Sequence, residues 1–170
     1  MTLVAFHGNP QLKADAIARM RDHVERDGII QGSWVALNAA APGGYRGCFH
    51  GCLTTDLLLE RGVTFQEVAC MPWFNTWYDL ARDLFGFPLD LSRVLDHFFE
   101  DAPSQALAGE FAVKVLEAIP VGADLEVIEW DDIRYQHDEP RGRAGWLDSV
   151  TIVYATLRAL GGVVTIHPSI

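Results

Sequence analysis

A chain of 170 residues that is 49% hydrophobic and 21% charged carries enough apolar material to bury a core without disulfide or metal staples. Its net charge of −10, from 23 acidic and 13 basic side chains, works against non-specific attraction to nucleic acid or anionic lipid, and Arg141-Gly142-Arg143 is too short a basic run to offset it. Three cysteines, an odd count, no apolar run near the roughly 20 residues of a membrane span, and no basic lead or cleavage site in "MTLVAFHGNPQLK" together predict a cytoplasmic protein with reduced thiols and neither a nucleic-acid nor a membrane partner.

In chain order, "TLVAF" reads as extended and able to pair with the similar C-terminal stretch "GGVVTIHP". A helix is predicted over 10–27, with Asn9 as N-cap, Pro10 at the first helical position and Gly28 as the stop; Leu12, Ala16, Ile17, Met20 and Val24 share its inner face. Glycines at 28, 32, 43 and 44 with Pro42 then predict an irregular connection, followed by a second helix over 46–61. A third helical pattern breaks at Pro72, restarts at Asn75 and stops near Gly86 and Pro88. A fourth covers 89–101, with Asp90 as its possible cap. Ser104 caps a fifth helix that ends at Pro120 and Gly122, and two more are predicted over 124–137 and 145–160. The β-branched run Val150-Thr151-Ile152-Val153 suits a strand as well, so the last of these stays open between helix and strand. The expected fold class is all-α, a single domain over 1–170 built as a bundle of six or seven helices.

Four blocks, "HGNPQLKADAIARMRDHVERDGIIQGSW", "GCFHGCL", "FGFPLDLSRVLDHFFEDAP" and "FAVKVLEAIPVGADLE", resemble in that order a family of bacterial proteins with no assigned activity. The resemblance covers about two thirds of the chain and points to Asn9, Pro10, Leu12, Lys13, His23, Asp27, Gly32, Gly47, Cys48, Gly51 and Cys52. The segment 62–83 departs from the family pattern in being longer and more aromatic, and the C-terminal quarter follows it loosely.

The densest chemistry lies in "YRGCFHGCLTTD" over 45–56. On a helix Cys48 and Cys52 share one face, with Gly47 and Gly51 beside them. The plain reading is close approach of a neighbouring helix to the glycines, with the cysteines as small buried apolar groups. The reactive reading places Cys48 in the first helical turn, where unpaired N–H groups favour a thiolate, with Arg46 adding positive charge and His50 or His23 acting as base. Arg19, His23 and Asp27 follow one another at i, i+4 and i+8, so Asp27 can orient His23, although such a line also suits a solvated stripe of ion pairs. The long connection carries Gly32, Trp34, Gly43 and Gly44, which suit a rim over a pocket lined by His23, Cys48 and Cys52.

A metal fits poorly, because His50 sits about 200° around the helix from Cys48 and no second cysteine pair completes a four-ligand set; no cofactor is expected. Adjacent acidic pairs such as Glu100-Asp101 and Asp131-Asp132 read as surface charge. Trp73, Phe74, Trp77 and Tyr78 either fill the core or dock a protein or peptide partner. The functional expectation is a small binding or regulatory module with its site between the first two helices. The alternative is an enzyme or thiol redox sensor using Cys48 with His23 and Asp27, and with Cys52 and His50 in lesser roles.

Overall fold

The computed structural model describes residues 3–37, 44–70, 76–136 and 142–162. Among these, eight α-helices are joined by short connections and one two-stranded ribbon, consistent with an all-α bundle. They are α1 (Pro10–Glu25), α2 (Phe49–Glu60), α3 (Phe65–Ala69), α4 (Thr76–Phe85), α5 (Leu89–Glu100), α6 (Gln105–Ala118), α7 (Trp130–Gln136) and α8 (Gly142–Ala159). The eighth helix arises where the third predicted pattern divides into α3 and α4. Residues 150–153 are helical, because Val150 and Val153 are both buried on the core-facing side of α8 and burial outweighs the weak β-propensity.

Helix α1 begins as its sequence dictates: Asn9 Oδ1 accepts from the backbone N–H of Gln11 at 2.9 Å and of Leu12 at 3.3 Å. Its end differs from expectation. Asp27, with φ of +60°, is the left-handed residue, and the N–H groups of Gly28 and Asp27 reach back to the carbonyls of His23 and Val24 in a Schellman closure. Gly28 serves another purpose, since a Cβ there would lie 2.7 Å from His23 Nδ1. Pro88, not Asp90, occupies the N-cap of α5 and offers no side-chain cap; Ser104 Oγ caps α6 through the Leu107 N–H at 3.2 Å.

The predicted irregular connection contains a strand, β1 (Val35–Leu37), paired antiparallel with β2 (Tyr45–Gly47) so that Val35 faces Gly47 and Leu37 faces Tyr45. The predicted second helix therefore loses its first residues to β2 and starts at Phe49. At the N-terminus, Ala5–Gly8 forms a tight 3₁₀ turn instead of an extended segment, with Phe6 and His7 at positive φ. The Ala5 N–H bonds the Ala123 carbonyl and the Gly122 N–H bonds the Ala5 carbonyl, both at 2.9 Å. The predicted partner stretch over 163–170 lies outside the described residues.

Helix α2 is buried on most of its circumference: nine of its twelve residues are inside, the polar His50, Thr54 and Thr55 among them. A helix of that kind must sit inside the bundle, and α2 packs against α1, α3, α4, α5 and β2. Helix α5 is its amphipathic neighbour, burying Leu91, Val94, Leu95, Phe98 and Phe99 against α2, α4, α6 and α7. Buried Trp130 and Trp146 donate their indole N–H groups to the carbonyls of Leu125 and Phe98 at 2.7 and 2.8 Å, so neither is left unpaired in the core. No described helix is long and apolar enough to cross a membrane.

Candidate functional site

The glycine stripe of "GCFHGC" admits the chain entering β1 at Trp34, not a helix. A Cβ on Gly51 would lie 1.7 Å from the Trp34 carbonyl oxygen, and one on Gly47 would lie 2.7 Å from it. The approach has a cause in hydrogen bonding: the Cys48 N–H, free at the helix start, lies 3.1 Å from the carbonyls of both Ser33 and Trp34. Cys48 is consequently the N-cap of α2, one residue before the first turn where the reactive reading placed it, and its Sγ accepts from the Gly51 N–H at 3.4 Å. Cys48 is 2% exposed, and burial together with the negative charges of Asp96 and Glu100 pushes its thiol well above the usual range. Cys52 lies deeper; its thiol donates to the carbonyls of Gly47 at 3.3 Å and Gly28 at 3.5 Å, and burial raises it too.

The expected relay from Asp27 through His23 to Cys48 is not assembled. With Asp27 in the left-handed position that ends α1, its side chain turns outward and pairs with Arg46. The carboxylate that meets His23 is Asp56 on α2, with His23 Nε2 2.8 Å from Asp56 Oδ2 and 3.1 Å from the Tyr45 hydroxyl. The Tyr45 hydroxyl in turn donates to Asp56 Oδ1. Burial pushes the Asp56 carboxyl up, but the hydrogen bonds from His23 and Tyr45 and the charges of His23 and Arg19 outweigh it and hold the group below its ordinary value. His23, Asp56 and Tyr45 thus form a closed polar knot between α1 and α2, and no histidine side chain bonds either cysteine among the described residues. His50 is fully buried, its ring against Trp34, Phe49 and Tyr78, and neither ring nitrogen has a hydrogen-bond partner among the described residues; burial pushes the imidazole down to about 3.

What the fold does bring to Cys48 is a pair of acids from α5. One ligand atom each of Cys48, Asp96 and Glu100 lies within 4.8 Å of the others. They wall a cavity of about 260 Å³ whose other lining residues, among those described, are Gly32, Ser33 and Trp34. The Tyr78 hydroxyl donates to Asp96 Oδ2 at 2.9 Å and the Gly32 N–H donates to Glu100 Oε2 at 2.6 Å. Burial raises both carboxyls, which those two hydrogen bonds only partly offset. Gln31 secures the rim, its side-chain amide reaching the carbonyls of Phe99, Glu100 and Ala102 at 3.0–3.1 Å where α5 ends.

Trp34 separates this cavity from a second one of about 110 Å³ bounded by Val35, Val68, Ala69 and Trp77. Its ring stacks on Trp77 at 5.8 Å with 9° between planes and meets Tyr78 edge-on. Trp77 is 3% exposed, so it belongs to the core and not to a docking face, and Tyr78 is half-buried with its hydroxyl on Asp96; Trp73 and Phe74 lie outside the described residues. The rim expected from Gly32 and Trp34 is present over Cys48, but His23 and Cys52 do not line it, and Gly43 lies outside the described residues.

Asp96 and Glu100 escaped the sequence reading, which assigned Glu100 to the surface with Asp101. The available signal was their i, i+4 spacing, an acidic pair on one face of α5 that repels itself unless something compensates. No family model, curated protein or solved structure matches the chain.

Proposed function

We propose that the protein is a binding module that captures a cation in the cleft between the Gly32–Trp34 segment, the start of α2 and the acidic face of α5. The observation that carries this reading is the convergence of Asp96 and Glu100 on Cys48, with neither carboxylate paired to a lysine or arginine among the described residues. Two half-buried carboxylates one helical turn apart leave a charge imbalance that a bound cation would neutralise. The net charge of −10 adds a long-range pull on cations. Thiol chemistry draws less support, since a nucleophilic thiolate is favoured by positive charge beside it and Cys48 is buried next to two carboxylates, whose negative charge opposes its ionisation.

The test is calorimetric titration of the reduced full-length protein with Zn²⁺, Mg²⁺, tetramethylammonium and guanidinium. At least one of them should bind saturably, and the double variant D96N/E100Q should bind it at least tenfold more weakly. Binding by none of them, or equal binding by the double variant, overturns the reading.

A further inference from the structure

We infer that the cation is a thiophilic divalent metal ion of the zinc type, held by Cys48 Sγ, one oxygen of Asp96 and one oxygen of Glu100. The inference rests on the cation-binding reading and narrows it by the identity of the third donor. An ammonium or guanidinium ion would gain from two carboxylates and nothing from a thiol, whereas a thiolate selects borderline and soft metals over Mg²⁺ or Ca²⁺. Cys48 supplies that donor from a different element than the acids, 2% exposed and on the cavity wall, with no acceptor for its S–H among the described residues.

The geometry is close to what such an ion requires. Tetrahedral ligands at about 2.0–2.3 Å from zinc stand roughly 3.5 Å apart. The three donors already lie within 4.8 Å of one another, so small rotations of Asp96 and Glu100 close the set. Both acids keep their hydrogen-bond donors during this closure, Tyr78 on Asp96 and the Gly32 N–H on Glu100, which serve as the outer contacts that orient metal ligands. On binding, the Cys48 S–H bond breaks, its electron pair passes to the metal and its proton to solvent, along with any proton the carboxyls hold; no atom changes oxidation state. Three protein ligands leave a fourth position facing a cavity of about 260 Å³, larger than one ion, where water or a small anionic ligand completes the sphere.

Cobalt reads this out directly, because a Co²⁺–thiolate bond absorbs in the near ultraviolet and a carboxylate-only site does not. Titrating the reduced, chelator-treated protein with Co²⁺ should produce that band at one equivalent, Zn²⁺ should abolish it and excess Mg²⁺ should not. Cys48→Ser, in which serine remains a good N-cap, should remove the band, while Cys52→Ser and Cys70→Ser keep it. Glu100→Gln should keep the band with at least tenfold weaker binding, a readout that does not depend on the Cys48 variant folding. A band lost with Cys70 in place of Cys48 overturns the inference. Absence of the band while one of the organic cations still binds overturns the metal and leaves the cation cleft standing; absence of both removes the two readings together.

Discussion

A methyl group on Gly51 would meet the Trp34 carbonyl oxygen at 1.7 Å and its carbon at 2.8 Å, backbone atoms that no side-chain rotation moves aside. Gly51→Ala should therefore cost about 3 kcal/mol or more in urea unfolding, through displaced backbone and not through helix propensity, which alone would favour alanine. Gly109→Ala provides the comparison: the nearest atoms its Cβ would meet belong to the Val24 side chain, at 3.1 Å, and the loss should be far smaller. At Asp56 the consequence concerns pH. Its folded carboxyl is the stronger acid, so its stabilisation is complete above about pH 5 and drains away as pH falls through the ordinary carboxylate range near 3.9 toward the folded value. Asp56→Asn should cost on the order of 2 kcal/mol at neutral pH, and the gap to wild type should close in unfolding curves taken toward pH 2–3. A gap that stays constant with pH would show that the knot with His23 and Tyr45 owes nothing to charge.

At the scale of elements, α5 carries a conflict that the cation reading explains. Its acidic pair shares the cleft over Cys48, so D96N/E100Q should raise stability in chelated buffer by about 0.5–1 kcal/mol, while weakening cation binding. Both amides can still accept from Tyr78 and Gly32, so the gain isolates charge. Elsewhere helices are held by long-range caps. Lys13 on α1 donates from Nζ to the carbonyls of Glu117 and Ile119 at 2.8 and 2.7 Å, closing the end of α6. Lys13→Met should cost about 1–2 kcal/mol in thermal or urea unfolding. That contact joins two of the sequence blocks, "GNPQLK" and "LEAIPVGADL", and just before the first of them Ala5 bonds Gly122 and Ala123 of the second. Caps such as Asn9 and Ser104 were legible because each acts within its own first turn. Lys13, Gln31 and the Asp96–Cys48 approach were not, because their partners lie tens of residues away and no local pattern marks them.

Across the whole molecule, the all-α class followed from periodicity, while the ribbon β1–β2 escaped because three-residue strands carry no period to read. That ribbon decides the fate of the thiols, and with it the choice between a binding module and a thiol enzyme. The three cysteines sit at three depths: Cys70 exposed where α3 ends, Cys48 on a cavity wall beneath the Gly32–Trp34 rim, and Cys52 sealed with its thiol bonded to two carbonyls. Alkylation of the native protein, followed by peptide mapping across a series of urea concentrations below the unfolding transition, should label Cys70 at once. Cys52 should react only through global unfolding, its rate rising with urea along the full slope of the equilibrium transition. Cys48 should fall between, with a shallow urea dependence, because lifting the Gly32–Trp34 rim exposes it without melting α2. Saturating Zn²⁺ should slow Cys48 alone if the metal sits where its donors converge. A Cys48 that instead reacts as fast as Cys70 near pH 6 would mean that the buried, acid-flanked thiol is in fact a thiolate, and would restore the enzymatic alternative over the binding one.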